Sequence, residues 1–339
     1  MSTTPAAEDA LRAPVPLTVI SGFLGAGKTT LLNRILREPD GVRYAVLVND
    51  FGDLNIDADL VASHSGETIA LANGCVCCSI GDSLVDALID LMARPTPPEH
   101  ILIEASGVAD PRRIADIAVI DPDLLRDGIV VLVDAADVRR LADDRHVGET
   151  VLRQLAAADL LVVNKTDRSD VAVLDALDGW LAGAAPRAPR LRARHADVPV
   201  RVLLGARTTM PSASQPGHVV GHGHGHGADR HVAGDHAHDD LHESGFRRAL
   251  IDDLPTLDRH ALSAFMEALP DSVLRAKGFV QLAGEATPFV LQRVGRSWTL
   301  KALPAGSAPP HLALVLIGTV EMPDEAALRT ALARARQQI

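Results

Sequence analysis

The chain has 339 residues and a hydrophobic fraction of 47%, which is enough to build more than one domain with a proper core. Its net charge of −11 argues against nucleic acid as a partner. No apolar run approaches the roughly 20 residues that cross a bilayer, so we expect no membrane partner either.

A phosphate-binding loop lies in the segment LTVISGFLGAGKTT, residues 17–30. After an apolar, strand-like run, it fits G-x-x-x-x-G-K-[ST] from Gly22 to Thr29 without a mismatch. Backbone N–H groups of such a loop surround phosphate oxygens, which requires glycine wherever a side chain would block the approach. Lys28 would bring a positive charge to the β- and γ-phosphates, and Thr29 a hydroxyl to Mg²⁺. The predicted nucleotide-binding residues here are Gly22, Gly25, Ala26, Gly27, Lys28, Thr29 and Thr30.

Two further predicted strands end close to acidic residues. The run YAVLV, residues 44–48, predicts a buried strand, and Asp50 follows it in a stretch rich in aspartate. Acids just beyond a parallel strand lie where ligands bind in open α/β sheets, although solvated loop acids have the same pattern. Residues 100–104 predict another strand, and its terminal acid, Glu104, is of the kind that holds Mg²⁺ or its water. Gly107 would let the backbone approach a γ-phosphate and act as a switch hinge.

All three cysteines of the chain lie within four residues, at Cys75, Cys77 and Cys78. Thiolates bind Zn²⁺, Co²⁺ and Cu(I) well, and a C-x-C pair at a tight turn can direct two sulfurs at one ion. A lone cysteine is usually an inert buried residue, but this cluster favours metal or redox chemistry. Three thiolates do not complete a tetrahedral site, so we expect an open or shared one. Because no disulfide framework is present, the reducing cytoplasm is the expected location.

The sequence Asn164-Lys165-Thr166-Asp167 follows a buried run and predicts guanine recognition. An aspartate can accept hydrogen bonds from both the N1–H and the 2-amino group of guanine. Adenine offers neither donor there and would leave Asp167 unpaired. Asn164 would steady the loop and contact the base, and the stem of Lys165 would cover the face of the base. GTP is therefore favoured over ATP.

Eight of the fourteen histidines lie in residues 208–242. Three of them, His222, His224 and His226, alternate with glycine and would share a face of an extended chain. The segment cannot build a packed core and is predicted to be a disordered linker or insertion. Histidine-rich tracts bind transition metals weakly, and a purely polar linker is the alternative interpretation.

The chain thus divides into four parts, beginning with a flexible tail at 1–16 that lacks the features of a signal peptide. Residues 17–207 are predicted to form an α/β domain with the P-loop NTPase fold and a mostly parallel, doubly wound sheet. One of its strands is expected at 128–134. After the linker at 208–242, residues 243–339 predict a smaller α+β domain without a catalytic group, in which one strand is expected at 278–283.

Together these motifs resemble the CobW-type GTPases, a group of metallochaperones similar to cobalamin-synthesis proteins. The resemblance covers residues 17–339 and rests on SGFLGAGKTTLL, VNDFGDLNID, NGCVCC, IEASGVADP, NKTD and RAKGF. It implies that Lys28 and Thr29 serve the phosphates and Mg²⁺, that Glu104 and Gly107 form an acid-and-switch element, and that the three cysteines hold the metal. The family usually has N-E-F-G-E where this chain has N-D-F-G-D, starting at Asn49. We assign catalytic roles to Lys28, Glu104 and Asp50.

The expected function is that of a GTP-hydrolysing metallochaperone that carries Zn²⁺, or Co²⁺, and delivers it to a client metalloprotein. Its intrinsic hydrolysis should be slow, because no arginine finger or water-orienting glutamine is evident. Three alternatives stay open: a histidine-rich metal buffer, an activator dedicated to one metalloenzyme such as a nitrile hydratase, and a P-loop kinase, against which N-K-x-D argues. A homodimer also stays open.

Overall fold

A computed structural model describes residues 13–37, 42–48, 67–70, 80–205, 245–307, 309 and 311–337. Several residues singled out above lie outside these ranges, namely Asp50, Cys75, Cys77, Cys78, His222, His224 and His226. Of the helices within the ranges, none combines the length and the apolar character needed to span a membrane.

Seven strands in the described part of the chain form one sheet, and every strand pairing in it is parallel. They are β1 Val15–Ser21, β2 Tyr44–Val48, β3 Glu67–Ala70, β4 His100–Glu104, β5 Leu124–Asp134, β6 Leu160–Asn164 and β7 Arg190–Arg192. Their order across the sheet is β3-β2-β4-β1-β5-β6-β7. Both faces of the sheet are covered, as apolar runs in parallel strands require, so the predicted α/β class is confirmed.

The helices that connect these strands lie on both faces of the sheet. They are α1 Lys28–Arg37, α2 Ile80–Met92, α3 Pro111–Ile120, α4 Val138–Ala142, α5 Gly148–Ala157, α6 Val171–Ala184 and α7 Val200–Leu204. Leu17 and Val19 of β1 point into an apolar cluster shared with α2 to α6. Ile20 points into the opposite cluster, which α1 and α7 share with side chains of the C-terminal domain.

The C-terminal domain is a five-stranded antiparallel sheet with two helices, as far as residues 245–337 are described. Its elements are β8 Phe246–Ile251, α8 Arg259–Ala268, β9 Val273–Val280, β10 Phe289–Val294, β11 Ser297–Ala302, β12 Ala313–Thr319 and α9 Glu325–Gln337. The strand order is β11-β10-β9-β12-β8. One face of this sheet packs on α8 and α9, and the other faces the N-terminal domain. The predicted α+β character is confirmed.

The largest differences from the predicted strand bounds are at the starts of β5 and β9, and both lie where the domains meet. β5 starts at Leu124 rather than at 128, because Asp127, which resembles a turn residue, is the extra residue of a bulge opposite β1. β9 starts at Val273 rather than at 278, because Arg275 is buried against the other domain instead of facing solvent. Polar residues interrupted the apolar pattern at both places.

Candidate nucleotide site

The phosphate-binding loop connects β1 to α1, and its lysine lies against the loop itself. Lys28 is 7% exposed, and its Nζ donates a hydrogen bond to the carbonyl oxygen of Gly22 at 3.1 Å. A longer contact of 3.5 Å joins Nζ to the carbonyl of Phe23. α1 begins at Lys28, so its positive N-terminal end adjoins the loop. A positive charge and the positive end of a helix dipole at this place suit a phosphate.

Asn164 ties the phosphate-binding loop to the N-K-T-D loop. Its Nδ2 donates to the carbonyl of Ala26 at 2.9 Å, and its Oδ1 accepts from the backbone N–H of Ala196 at 2.8 Å. The side chain is 2% exposed. Gly27 lies so close that an added Cβ would stand 2.5 Å from Asn164 Nδ2, at a backbone φ of +109°. The two loops therefore fix each other's position.

The rest of the N-K-T-D loop is shaped by strand ends next to it. Lys165 has a left-handed φ of 58°, and its Nζ lies 2.8 Å from Oδ2 of Asp134, the last residue of β5. Thr166 donates from its hydroxyl to the carbonyl of Ala193 at 3.0 Å. Asp167 follows in a 3₁₀ turn and is exposed.

Sequence reasoning missed the loop of residues 193–197, which lies beyond β7 and contacts Asn164 through Ala196. His195 and Ala196 in this loop have left-handed φ values of 52° and 56°. No local motif marked the loop; its place after a strand end next to N-K-T-D was the available signal. Its Ala196 N–H helps to fix Asn164 of the N-K-T-D loop.

Thr29 and Glu104 lie together next to the phosphate-binding loop. Thr29 Oγ1 donates to Glu104 Oε1 at 3.3 Å, and Glu104 is 2% exposed at the end of β4. The contact follows from the sheet, because β4 pairs with β1 and brings Glu104 level with Ile20. A hydroxyl and a carboxylate are hard oxygen donors of the kind that Mg²⁺ takes, so these two residues fit that ion.

A tight turn follows Glu104 and packs against the phosphate-binding loop. The N–H of Ala109 donates to the carbonyl of Ser106 at 3.0 Å, which closes the turn. Gly107 lies at its tip, where an added Cβ would stand 2.7 Å from Cδ2 of Leu24. The side chain of Gln154 on α5 donates hydrogen bonds to the same turn. No sequence pattern predicted this contact.

Across the described ranges, no three His, Cys, Asp or Glu side chains come together as a metal-binding group. The predicted thiolate and histidine ligands lie outside those ranges. Within them, the oxygen pair of Thr29 and Glu104 is the arrangement that suits a metal ion.

The link that Asn164 makes between a phosphate-binding loop and an N-K-x-D loop, at the carboxyl edge of a parallel sheet, defines the class of protein: a P-loop GTPase. The family follows from family models. Residues 16–192 match the CobW/HypB/UreG nucleotide-binding domain, and residues 251–336 match the C-terminal domain of the cobalamin synthesis protein cobW. The chain belongs to the CobW family.

Individual relatives match along almost the whole chain. The zinc chaperone CobW of Sinorhizobium sp is 33% identical over 359 residues, which cover 94% of this chain and 96% of the relative. The zinc chaperone YjiA of Escherichia coli strain K12 is 32% identical over 332 residues, covering 92% and 96%. A crystal structure of the Zn(II)-bound YjiA GTPase from E. coli aligns with 26% identity and a TM-score of 0.45, covering 96% of this chain and 100% of that one.

Proposed function

We propose that this chain is a GTP-hydrolysing metallochaperone that binds Zn²⁺ through Cys75, Cys77 and Cys78 and delivers it to a client metalloprotein. The observation that carries the proposal is the register of four adjacent strands. This register gives the distance between the strand that leads into the phosphate-binding loop and the strand that precedes the cysteine segment in the chain.

Four residues lie level with one another across the sheet. Ile20 pairs with Glu104, Glu104 with Val48, and Val48 with Ala70. Neighbouring strands are about 4.8 Å apart, so Ala70 lies roughly 14 Å from Ile20. Cys75 follows Ala70 by five residues in the sequence. This spacing supports a thiolate site near enough to the phosphates for the occupancy of one site to affect the other.

The described geometry supports the proposed hydrolytic roles. Lys28 holds its ammonium at the loop and would balance the charge that develops on the phosphates. Thr29 and Glu104 would hold Mg²⁺, or the water around it, which supplies further neutralisation of the β- and γ-phosphates when bound. Gly107 would present the backbone of its turn to the γ-phosphate. We expect intrinsic hydrolysis to be slow, because the sequence contains no evident arginine finger or water-orienting glutamine.

Guanine specificity rests on Asp167, whose exposed carboxylate would accept from N1–H and the 2-amino group of the base. The loop is preorganised for this by the contacts of Asn164 and by the ion pair between Lys165 and Asp134. Preorganised polar groups bind with a smaller loss of entropy.

Zinc is the proposed cargo for two reasons. Thiolate ligands suit Zn²⁺, and the relatives above that match along almost the whole chain are named zinc chaperones. Co²⁺ accepts similar ligands and is the second candidate. Because capture needs free thiols, we expect the protein to act in a reducing compartment, the cytoplasm.

The proposal is tested by the reciprocity of two binding equilibria. If GTP tightens Zn²⁺ binding, then Zn²⁺ must tighten GTP binding by the same factor, typically about 5–150-fold. Affinity for a non-hydrolysable GTP analogue with Mg²⁺ would be measured by calorimetry with and without Zn²⁺. The Cys77→Ser variant is the control and should lose the coupling while still binding the nucleotide. Equal affinities with and without Zn²⁺ in the unmodified protein would contradict the proposal.

The histidine-rich buffer is distinguished by deletion of residues 216–242. A buffer would lose most of its bound metal, whereas a chaperone keeps one tight site whose affinity depends on the nucleotide. Metal content would be measured by mass spectrometry after gel filtration, in the presence of the GTP analogue and in its absence.

A further inference from the structure

We infer that Gln154 is a positioning residue that orients the turn after Glu104 for the γ-phosphate of GTP. The inference rests on the proposed function, which assigns that turn to the γ-phosphate. Gln154 lies on α5 and is 2% exposed.

The amide of Gln154 binds two carbonyls of the turn at once. Its Nε2 donates to the carbonyl oxygen of Gly107 at 3.0 Å and to that of Ala109 at 3.3 Å. A primary amide nitrogen carries two hydrogens, so both bonds can form together. Because the site is buried, water cannot readily replace this donor, and the loss of the amide would leave two carbonyls unsatisfied.

These bonds determine which N–H groups the turn can offer to a ligand. The bond between Ala109 and Ser106 closes the turn internally, but it does not set how the turn is rotated against the rest of the protein. The peptide that joins Gly107 to Val108 is planar and trans. A Gly107 carbonyl held toward α5 therefore keeps the N–H of Val108 pointing away from α5.

The contact of the turn with the phosphate-binding loop is weaker as a constraint on its orientation. Leu24 of the phosphate-binding loop lies against Gly107, but its side chain is 63% exposed and makes an apolar contact without direction. Gln154, in contrast, is carried by a helix whose Val151 and Leu155 are 3% and 1% exposed in the core. A further bond joins this helix to the start of α3, from the Arg112 guanidinium to the carbonyl of Ala156. The hydrogen bonds of Gln154 thus fix the orientation of the turn relative to α5.

A γ-phosphate-specific effect follows from this geometry. GDP has no γ-phosphate, so its affinity should not depend on the turn. In the Gln154→Leu variant the turn loses both directed bonds, and we expect affinity for a non-hydrolysable GTP analogue to fall by about tenfold while affinity for GDP stays within about twofold. The kcat for GTP hydrolysis should fall as well. A purely structural role of Gln154 would weaken both nucleotides alike, or neither.

The experiment measures both affinities by displacement of a fluorescent GDP in the presence of Mg²⁺. Val151→Ala is the matched control, because it removes buried methyl groups from the same helix and leaves the amide in place. Its ratio of GTP-analogue affinity to GDP affinity should equal that of the unmodified protein. Gln154→Glu, which has nearly the same shape and lacks the donor, carries the test if the leucine variant does not fold.

An unchanged affinity ratio in Gln154→Leu, or in Gln154→Glu where that variant carries the test, would overturn the inference. If the unmodified protein binds neither guanine nucleotide, the proposed function fails instead, so the two failures are distinguishable. A lowered ratio in the Gln154 variants, with a normal ratio in Val151→Ala, supports the positioning role.

Discussion

Arg275 of the C-terminal domain forms a bidentate ion pair with Asp127 of the N-terminal domain, with N–O distances of 2.9 and 3.0 Å. Both side chains are buried, at 3% and 0% exposure. Asp127 is the bulged residue of β5, and it also accepts a hydrogen bond of 2.6 Å from the hydroxyl of Thr18. Since β1 continues from Thr18 into the phosphate-binding loop, this pair connects the C-terminal sheet with a strand that supports the nucleotide site.

The Arg275→Met variant should be strongly destabilised. It leaves the Asp127 carboxylate buried without its guanidinium, and breaking a buried pair in this way costs about 3–5 kcal/mol of unfolding free energy. Urea denaturation followed by circular dichroism measures the change.

The control for this substitution is Arg296→Met. Arg296 forms a bidentate pair with Asp271 at 2.6 and 2.7 Å, but the two side chains are 52% and 56% exposed. Removing that pair should cost less than about 1 kcal/mol. Equal losses of unfolding free energy in the two variants would show that burial of the pair between the domains does not increase its contribution to stability.

His100 makes the stability of the protein depend on pH. The single hydroxyl hydrogen of Thr18 goes to Asp127, so the His100 Nε2 that lies 2.8 Å from the Thr18 oxygen must carry the proton and donate. Burial lowers the pKa of His100 from 6.5 to about 3, against the opposing effect of Asp127 and with smaller lowering effects of Lys277 and Arg275. The folded protein therefore holds a neutral imidazole, whereas the unfolded chain protonates it below pH 6.5.

Between pH 6.5 and 4 the unfolded state thus binds one more proton at this residue, so stability falls as the pH falls. The loss is about 1.4 kcal/mol per pH unit for a single group. His100→Gln keeps a donor near the Nε2 position and does not titrate. The loss of unfolding free energy per pH unit should therefore be smaller in this variant by about 1.4 kcal/mol. Urea midpoints measured from pH 4 to 7.5 test this, and parallel curves for the two proteins would contradict it.

Below this range Asp127 adds to the acid sensitivity. Burial is the largest single effect and would raise its pKa, but the Arg275 guanidinium, His100 and Lys277 together outweigh burial and lower the pKa of Asp127 from 3.8 to about 2. Its contribution to stability is therefore present above pH 3.8 and is lost as the pH falls through 2, which is why the comparison above stops at pH 4.

Gly27→Ala should disrupt the nucleotide site. The new Cβ would stand 2.5 Å from Asn164 Nδ2, and the φ of +109° is strained for any residue with a side chain. Separation of the two loops should lower affinity for GDP by more than about tenfold. Gly179→Ala is the control, because its Cβ would meet nothing within 4 Å in the middle of α6. That change should leave GDP affinity unchanged and raise stability by about 1 kcal/mol.

Asp167→Asn should change the base that the protein prefers. An amide replaces one acceptor oxygen with a donor, which fits the 2-carbonyl of xanthine and opposes the 2-amino group of guanine. Affinity for GTP should fall by about 100-fold or more, and affinity for xanthosine triphosphate should rise. Asp170→Asn, also exposed and without a side-chain capping bond on α6, should change neither affinity. A GTP preference that survives in Asp167→Asn would exclude this residue as the reader of the base.

The strands whose side chains are apolar on both faces could be predicted closely. Tyr44–Val48 and His100–Glu104 have the expected bounds because the apolar run within each strand has few other ways to be buried. β5 and β9 were mispredicted at their starts because Asp127 and Arg275 look solvent-exposed until each is seen to neutralise the other. Helix α6 was not predicted at all, since its apolar residues do not form a clear helical stripe.

By itself the sequence determined the class of nucleotide site, because a phosphate-binding loop and an N-K-x-D loop act through residues that are neighbours in the chain. Only the tertiary structure decided which distant polar groups hold those loops in place. Asn164 meets Ala26 across 138 residues, Gln154 meets Gly107 across 47, and Arg275 meets Asp127 across 148. The sequence does not show whether a polar side chain will be buried or which partner it will contact. Both depend on how the strands and helices pack.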